Sequence, residues 1–191
     1  MKSIVIYSSL TGNTKQVAEI IARVLPADTP CVSMSELPSD MASYDLVFAG
    51  FWVDKGTANK EARDVLGTLH NPHIALFATA GVPPQMAHAK ESLINAANCL
   101  PDGVEPVGTF ICQGKVDPKV IEMMYKMFPK GHSHGQSADR DARHKQAAVH
   151  PNEDDFKAAQ DFAQDILAKL ERWIKAVPMW STAFVILYMM L

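Results

Sequence analysis

Five short apolar runs interleaved with stretches of helical periodicity constrain this chain more than any other feature of it. The runs occupy residues 3–7, 29–34, 45–50, 73–78 and 107–112, the second being the weakest. Between the first two, Val17, Ile20, Ile21 and Val24 recur at i, i+3, i+4 and i+7, the spacing of one helix face. Residues 57–69, 84–97 and 118–128 carry helical patterns too. Asp117 is placed as an N-cap and Pro118 at the first helical position, where a missing N–H breaks no hydrogen bond. From Asn152 onward the helix signal is strongest, with Phe156, Ala159, Phe162, Ala163, Ile166, Leu170 and Trp173 in one stripe. Glu153, Asp154 and Asp155 open that helix and Lys169, Arg172 and Lys175 lie near its end, complementing the dipole at both ends. Strand–helix alternation predicts a parallel sheet joined by right-handed crossovers. Runs that are continuously apolar belong to strands covered on both faces. The expected fold is therefore α/β: a doubly wound parallel sheet of five strands, order 2-1-3-4-5, with helices on both faces.

At 191 residues the chain has the size of one domain, expected over residues 1–175. Residues 130–150 break the rhythm with a polar stretch rich in His, Gly and Ser, read as a surface excursion. Residues 176–191 form an apolar C-terminal tail, apolar from Met179 on except for Ser181 and Thr182. That tail is shorter than the roughly 20 residues a bilayer-spanning helix needs, so no transmembrane span is expected. It is compatible with packing on the sheet, lying at a membrane interface, docking a partner, or having no role. A hydrophobic share of 48% excludes a disordered chain. A net charge of -3 with 18 dispersed Lys and Arg gives no footprint for nucleic acid. Cys31, Cys99 and Cys112 make neither a C-x-x-C pair nor a disulfide framework. The N-terminus lacks a signal peptide's long apolar segment and cleavage site, so the expected compartment is the cytoplasm. His132, His134, His144 and His150 share one polar segment, but no Cys or carboxylate joins them at ligand spacing, and no metal site is expected.

The residues joining the first strand to the first helix are Ser8, Ser9, Leu10, Thr11, Gly12, Asn13 and Thr14. Hydroxyls and backbone N–H groups crowded at a helix N-terminus accept a dianionic phosphate without needing a lysine. The stretch is neither a G-x-x-x-x-G-K-[ST] loop nor G-x-G-x-x-G, and its hydroxyl donors suit a terminal monophosphate better than a pyrophosphate. An ordinary capped βα turn is the alternative. Here the sequence resembles the flavodoxin family, whose phosphate loop reads S/T-x-T-G-N-T. Ser9, Thr11, Gly12, Asn13 and Thr14 match it position by position, with Leu10 at the variable place. The resemblance covers about residues 2–175 in architecture and implies a flavodoxin-like fold binding FMN noncovalently, its 5′-phosphate in this loop.

Two further loops are expected at the same sheet edge. In flavodoxins the one after strand three carries an aromatic, often Trp, that stacks on the flavin. Phe51, Trp52, Val53, Asp54 and Gly56 fall there, and Trp52 matches the stacking residue; a rim aromatic of the core is the alternative. The family often has Gly after this Trp, allowing a peptide flip towards the flavin. Val53 stands there instead, and a β-branched residue resists positive φ. After strand four come Thr79, Ala80 and Gly81, small residues that let backbone approach a flavin ring. This loop lacks the Tyr many flavodoxins place over the opposite flavin face, which leaves that face to Val82 or Met86. After strand five, the stretch from Cys112 to Pro118 resembles a subgroup of bacterial flavodoxin-like proteins that includes one encoded alongside gut bacterial bilirubin reductase.

No acid, base or nucleophile constellation is recognisable, so no catalytic residue is assigned and a bound flavin would carry the chemistry. The resemblance implies an FMN-dependent electron carrier that delivers electrons to a redox partner protein. The alternatives are an FMN-dependent NAD(P)H oxidoreductase acting on a quinone, nitro compound or tetrapyrrole, and a flavin-free interaction module that keeps only the fold.

Overall fold

The computed structural model describes residues 1–129, 131–132 and 135–176. Strands β1 (Ser3–Tyr7), β2 (Cys31–Ser33), β3 (Leu46–Asp54), β4 (Thr57–Ala58), β5 (His73–Ala80) and β6 (Gly108–Gln113) are interspersed with six α-helices. These are α1 (Asn13–Ala22), α2 (Lys60–Leu66), α3 (Ala87–Ala97), α4 (Pro118–Met127), α5 (Ala138–Ala147) and α6 (Glu153–Ala176). The sheet order is β2-β1-β3-β5-β6, and every pair along that path is parallel. This is the expected 2-1-3-4-5 arrangement, with the last two strands renumbered by the short β4.

Side chains alternate across a strand, so each strand feeds two cores. On one face Ile4, Ile6, Val47, Ala49, Phe51, Ile74 and Leu76 pack with Ala62 and Leu66 of α2 and Ala96 of α3. On the other, Val5, Leu46, Phe48, Ala75 and Phe77 pack with Val17, Ala18 and Ile21 of α1 and Ala159, Ala163, Ile166 and Leu170 of α6. Fully burying a side chain such as Phe48 or Ile4 contributes about 1.5–3 kcal/mol, which locks the register and fixes where each strand ends. The α6 stripe leaves the core at its last member, since Trp173 is 46% exposed.

Apart from β2 and α3, which are shorter than the expected 29–34 and 84–97, three elements differ from the sequence expectation. β3 runs on to Asp54, beyond the apolar run 45–50, because it turns back on β4 through Lys55 and Gly56. Those two residues have φ of 50° and 80°, the paired positive values of a two-residue type I′ hairpin. Thr57 and Ala58 are consequently strand, and α2 begins only at Lys60. The third difference is α5, a ten-residue helix inside the polar stretch 130–150. Its apolar content is too low to show a stripe. Its ends are nevertheless well set: Ser137 Oγ accepts from Arg140 N, Asp139 and Asp141 lie in the first turn, and His144 and Lys145 in the last. Asp117 caps α4 as expected, accepting from Lys119 N at 2.7 Å.

Among the described residues no helix is long and apolar enough to cross a membrane. The tail from residue 177 on, with its open alternatives, lies outside the described residues, as do Lys130, Ser133 and His134.

Candidate functional site

The C-terminal ends of β1, β3, β5 and β6 frame an open cleft, the edge of a doubly wound sheet where ligands bind. Of the residues expected at a flavin site, Leu10, Thr11, Asn13, Trp52, Val53, Thr79, Ala80 and Gly81 line it. Ser9, Gly12, Thr14, Phe51, Asp54 and Gly56 do not.

Those others have definable places. Gly12 is the N-cap of α1 at φ 89° and offers no side chain to cap it. Ser9 Oγ accepts from Lys15 N at 3.3 Å, the third N–H of the helix. The N–H groups of Asn13 and Thr14 thus stand without a side-chain cap at the positive end of the helix dipole. Thr14 is 1% exposed, and its hydroxyl pairs with the Thr79 hydroxyl at 3.0 Å, holding α1 against the end of β5. Ser8, just before the loop, donates to Glu61 Oε2 at 2.5 Å and accepts from Asn59 Nδ2 at 2.8 Å, which fixes the loop from its other side.

Phe51 and Trp52 sit at successive positions of β3 and so point to opposite faces. Phe51 is wholly buried beside α2, whereas Trp52 lines the cleft. Val53, also on the cleft wall, is paired with Ala58 in the hairpin, and the Trp52 carbonyl accepts from Asn59 N at 3.2 Å. Gly56 lies at the hairpin tip, its carbonyl accepting from Asn95 Nδ2 at 2.8 Å, and is held on α3 rather than at the cleft.

The sequence reading missed one wall. Gly114, Lys115, Val116, Asp117 and Val120 close the cleft from the β6 side. The signal available was positional, since this loop leaves the same sheet edge as the other three. Asn13 Nδ2 donates to the Lys115 carbonyl at 2.8 Å. Gly114 allows this close approach, because a Cβ would stand 2.9 Å from Asn13 Nδ2 and 3.3 Å from Thr79 Cβ and would displace the Asn13 amide. From beneath, Lys115 N donates to the His150 carbonyl at 2.9 Å, and His150 Nδ1 meets Asp155 at 2.5 Å. Val82 and Met86, expected at the opposite flavin face, line a neighbouring hollow and not this cleft. Cys112, at the base of this wall, is 2% exposed, and burial, then the charge of Asp155, push its thiol pKa up. Among the described residues no group of three His, Cys, Asp or Glu could hold a metal ion.

A doubly wound parallel sheet whose first βα turn brings Thr11 and an uncapped helix N-terminus to a cleft lined by Trp52 has the features of a mononucleotide-binding protein of the α/β class. The family model described as a flavodoxin domain matches residues 4–164. The chain is 35% identical over 176 residues to a flavodoxin-like domain-containing protein BilS of Clostridioides difficile, covering 88% of this chain and 98% of that one. It is 34% identical over 179 residues to a protein of the same name from Clostridium symbiosum, covering 85% and 94%. Among solved structures, a flavodoxin of Streptococcus pneumoniae superposes with a TM-score of 0.52 at 16% identity, over 87% of this chain and 98% of that one, a likeness of fold. This chain belongs to the flavodoxin domain family, in the group of BilS-type flavodoxin-like proteins, and is an FMN-binding flavoprotein.

The residues present fit that cofactor. The uncapped α1 N-terminus and the Thr11 hydroxyl suit a phosphate dianion. The Trp52 ring offers a planar face, and Ala80, Gly81 and Gly114 leave backbone close to the cleft interior.

Proposed function

We propose that this chain is an FMN-dependent electron carrier of the cytoplasm that delivers electrons to a partner oxidoreductase. The observation that carries the reading is the poverty of proton chemistry in the cleft. Of its lining residues only Lys115 and Asp117 are ionisable, and Asp117 is engaged as the cap of α4. No acid–base pair faces the interior, so the polypeptide binds and orients while bound FMN supplies the electron uptake and release. Ser9, Thr11, Gly12, Asn13 and Thr14 serve the phosphate, Gly12 and Thr14 through backbone and helix placement. Phe51, Trp52, Val53 and Asp54 form the strand that presents the Trp52 ring, Gly56 turns it back, and Thr79, Ala80 and Gly81 approach the other rim.

Purified protein loaded with FMN absorbs near 370 and 450 nm. Addition of NADH or NADPH without any reductase leaves those bands intact if the chain is a carrier. Direct bleaching overturns the proposal in favour of an NAD(P)H oxidoreductase acting on a quinone, nitro compound or tetrapyrrole. That second reading is favoured by one feature, the hollow that adjoins the cleft at Gly81, where a small molecule has room beside the flavin.

A further inference from the structure

The loop after β6 brings a cation to the cleft. Among the described residues that line it, Lys115 alone carries positive charge. Its main chain is held from two sides. Lys115 N donates to the His150 carbonyl at 2.9 Å, and the Lys115 carbonyl accepts from Asn13 Nδ2 at 2.8 Å. Both backbone polar groups are thus satisfied, and the side chain is the part left to act.

The partners of Lys115 fix where that side chain starts. Asn13 Nδ2 also donates to Thr11 Oγ1 at 3.1 Å, so the Lys115 carbonyl and the Thr11 hydroxyl share one nitrogen. Thr11 lines the cleft, and Asn13 opens α1, where the N–H groups of Asn13 and Thr14 lack a side-chain cap. Lys115 is therefore rooted beside the place where the first loop would take a phosphate. Its ammonium makes no hydrogen bond or ion pair among the described residues. Asp117, which also lines the cleft, accepts from Lys119 N at 2.7 Å as the cap of α4. Lys15, the lysine within α1's first turn, stands 3.8 Å from Glu19 and does not line the cleft. An ammonium on a flexible stem, next to an uncapped helix N-terminus, complements a doubly charged phosphate. A neutral hydroxyl in the same place would leave both the ammonium and the helix end unanswered.

We propose that Lys115 is a specificity-determining residue of the cleft, its ammonium pairing with the terminal phosphate of FMN and selecting the phosphorylated flavin over riboflavin. The inference rests on the FMN reading of the cleft and adds to it a charge that the phosphate loop itself does not contain. Lys115 is exposed, so its attraction for the phosphate acts partly through water and is screened by salt. A hydrogen bond from the buried frame of the cleft would not share that salt dependence.

The whole chain, freed of flavin, is titrated with FMN and with riboflavin at about 0.01 M and about 1 M salt, following flavin fluorescence. At the lower salt Lys115→Gln should weaken FMN binding about fivefold or more and change riboflavin binding less than about twofold. At the higher salt, where the screening length falls to about 3 Å, the FMN loss should shrink to about twofold or less. Lys115→Arg keeps the charge and should stay within about threefold of wild type for FMN at both salts. Equal losses for FMN and riboflavin would mean that Lys115 acts on the ring or on the loop's own shape, and would overturn the proposal. So would an unchanged FMN affinity in Lys115→Gln, a loss as large at high salt, or a loss in Lys115→Arg matching that in Lys115→Gln. Wild-type protein that binds FMN no more tightly than riboflavin would count against the phosphate reading of the first loop as well. A strong preference for FMN that survives Lys115→Gln would count against the role of Lys115 alone.

Discussion

The side-chain amide of Asn13 donates to the main-chain carbonyl of Lys115 at 2.8 Å and to the Thr11 hydroxyl at 3.1 Å. One residue of the first cleft loop thus sets the position of the last, 102 residues further along the chain. Gly114 packs against the same amide.

Asn13→Ala should therefore loosen two walls of the cleft at once. The expected loss of FMN affinity is about 1–2 kcal/mol, since two neutral hydrogen bonds contribute roughly 0.5–1.5 kcal/mol each and are not fully additive. Asn13→Asp should cost more, because a carboxylate would face the Lys115 carbonyl with no hydrogen to share. Titration of FMN fluorescence measures both. Wild-type affinity in Asn13→Asp would contradict the link.

Thr11 and Thr14 should separate in their effects, although the family's phosphate loop includes both. Thr11 lines the cleft, whereas the Thr14 hydroxyl is buried against Thr79. Thr11→Ala should lower FMN affinity by about 1.5–3 kcal/mol and leave riboflavin affinity nearly unchanged, as expected for a hydrogen bond to a charged phosphate. Thr14→Ala leaves the Thr79 hydroxyl without its partner and should cost about 1–3 kcal/mol of folding stability. Denaturant melts and paired FMN and riboflavin titrations distinguish the two. Equal losses for the two ligands in Thr11→Ala would remove the phosphate assignment.

Phe51 and Trp52 provide a second separable pair, because neighbouring strand residues face opposite sides. Phe51→Ala should destabilise the fold by about 3–5 kcal/mol through the cavity it leaves beside α2. Trp52→Ala should leave stability almost unchanged, raise the fluorescence of bound flavin, and weaken FMN binding by about 1–3 kcal/mol, the range for stacking on an aromatic side chain. Flavin emission unaltered by Trp52→Ala would mean that the ring does not stack.

The parts of this architecture that were legible in the sequence are those written in periodicity. The parallel sheet followed from the apolar runs, α6 from its stripe, and the start of α4 from Asp117 and Pro118. The hairpin was not legible as such, because the run 45–50 ends before the polar pair Lys55–Gly56 whose positive φ values turn β3 back. Trp52 was recognisable by chemical type, but its placement depends on strand parity that only the true length of β3 supplies. The wall from Gly114 to Val120 depends on Asn13, the Lys115 carbonyl and His150 meeting in space. No local pattern records such contacts. α5 was hidden because a helix stabilised by caps and terminal charges needs no apolar stripe.

The cysteines carry the last prediction, which concerns reactivity as a function of pH. Burial and then the Glu19 carboxylate push the half-buried Cys31 thiol from 9.0 to about 11. Burial and then Asp155 push Cys112 up as well. A raised pKa means less thiolate at a given pH, and the thiolate is the nucleophile. At pH 8 iodoacetamide should therefore modify Cys31 slowly and leave Cys112 intact, with Cys31 accelerating as pH rises towards about 11. The same shift has a consequence for folding. The unfolded chain releases its Cys31 proton near 9 while the folded chain holds it to about 11, so this contribution to stability is present below 9 and declines between those values. Peptide-resolved mass spectrometry with a guanidinium-unfolded control reads the reactivity. Native Cys112 alkylated as fast as in the unfolded control would show that it is not enclosed between β6 and α6, and would undo the placement of the wall that stands on it.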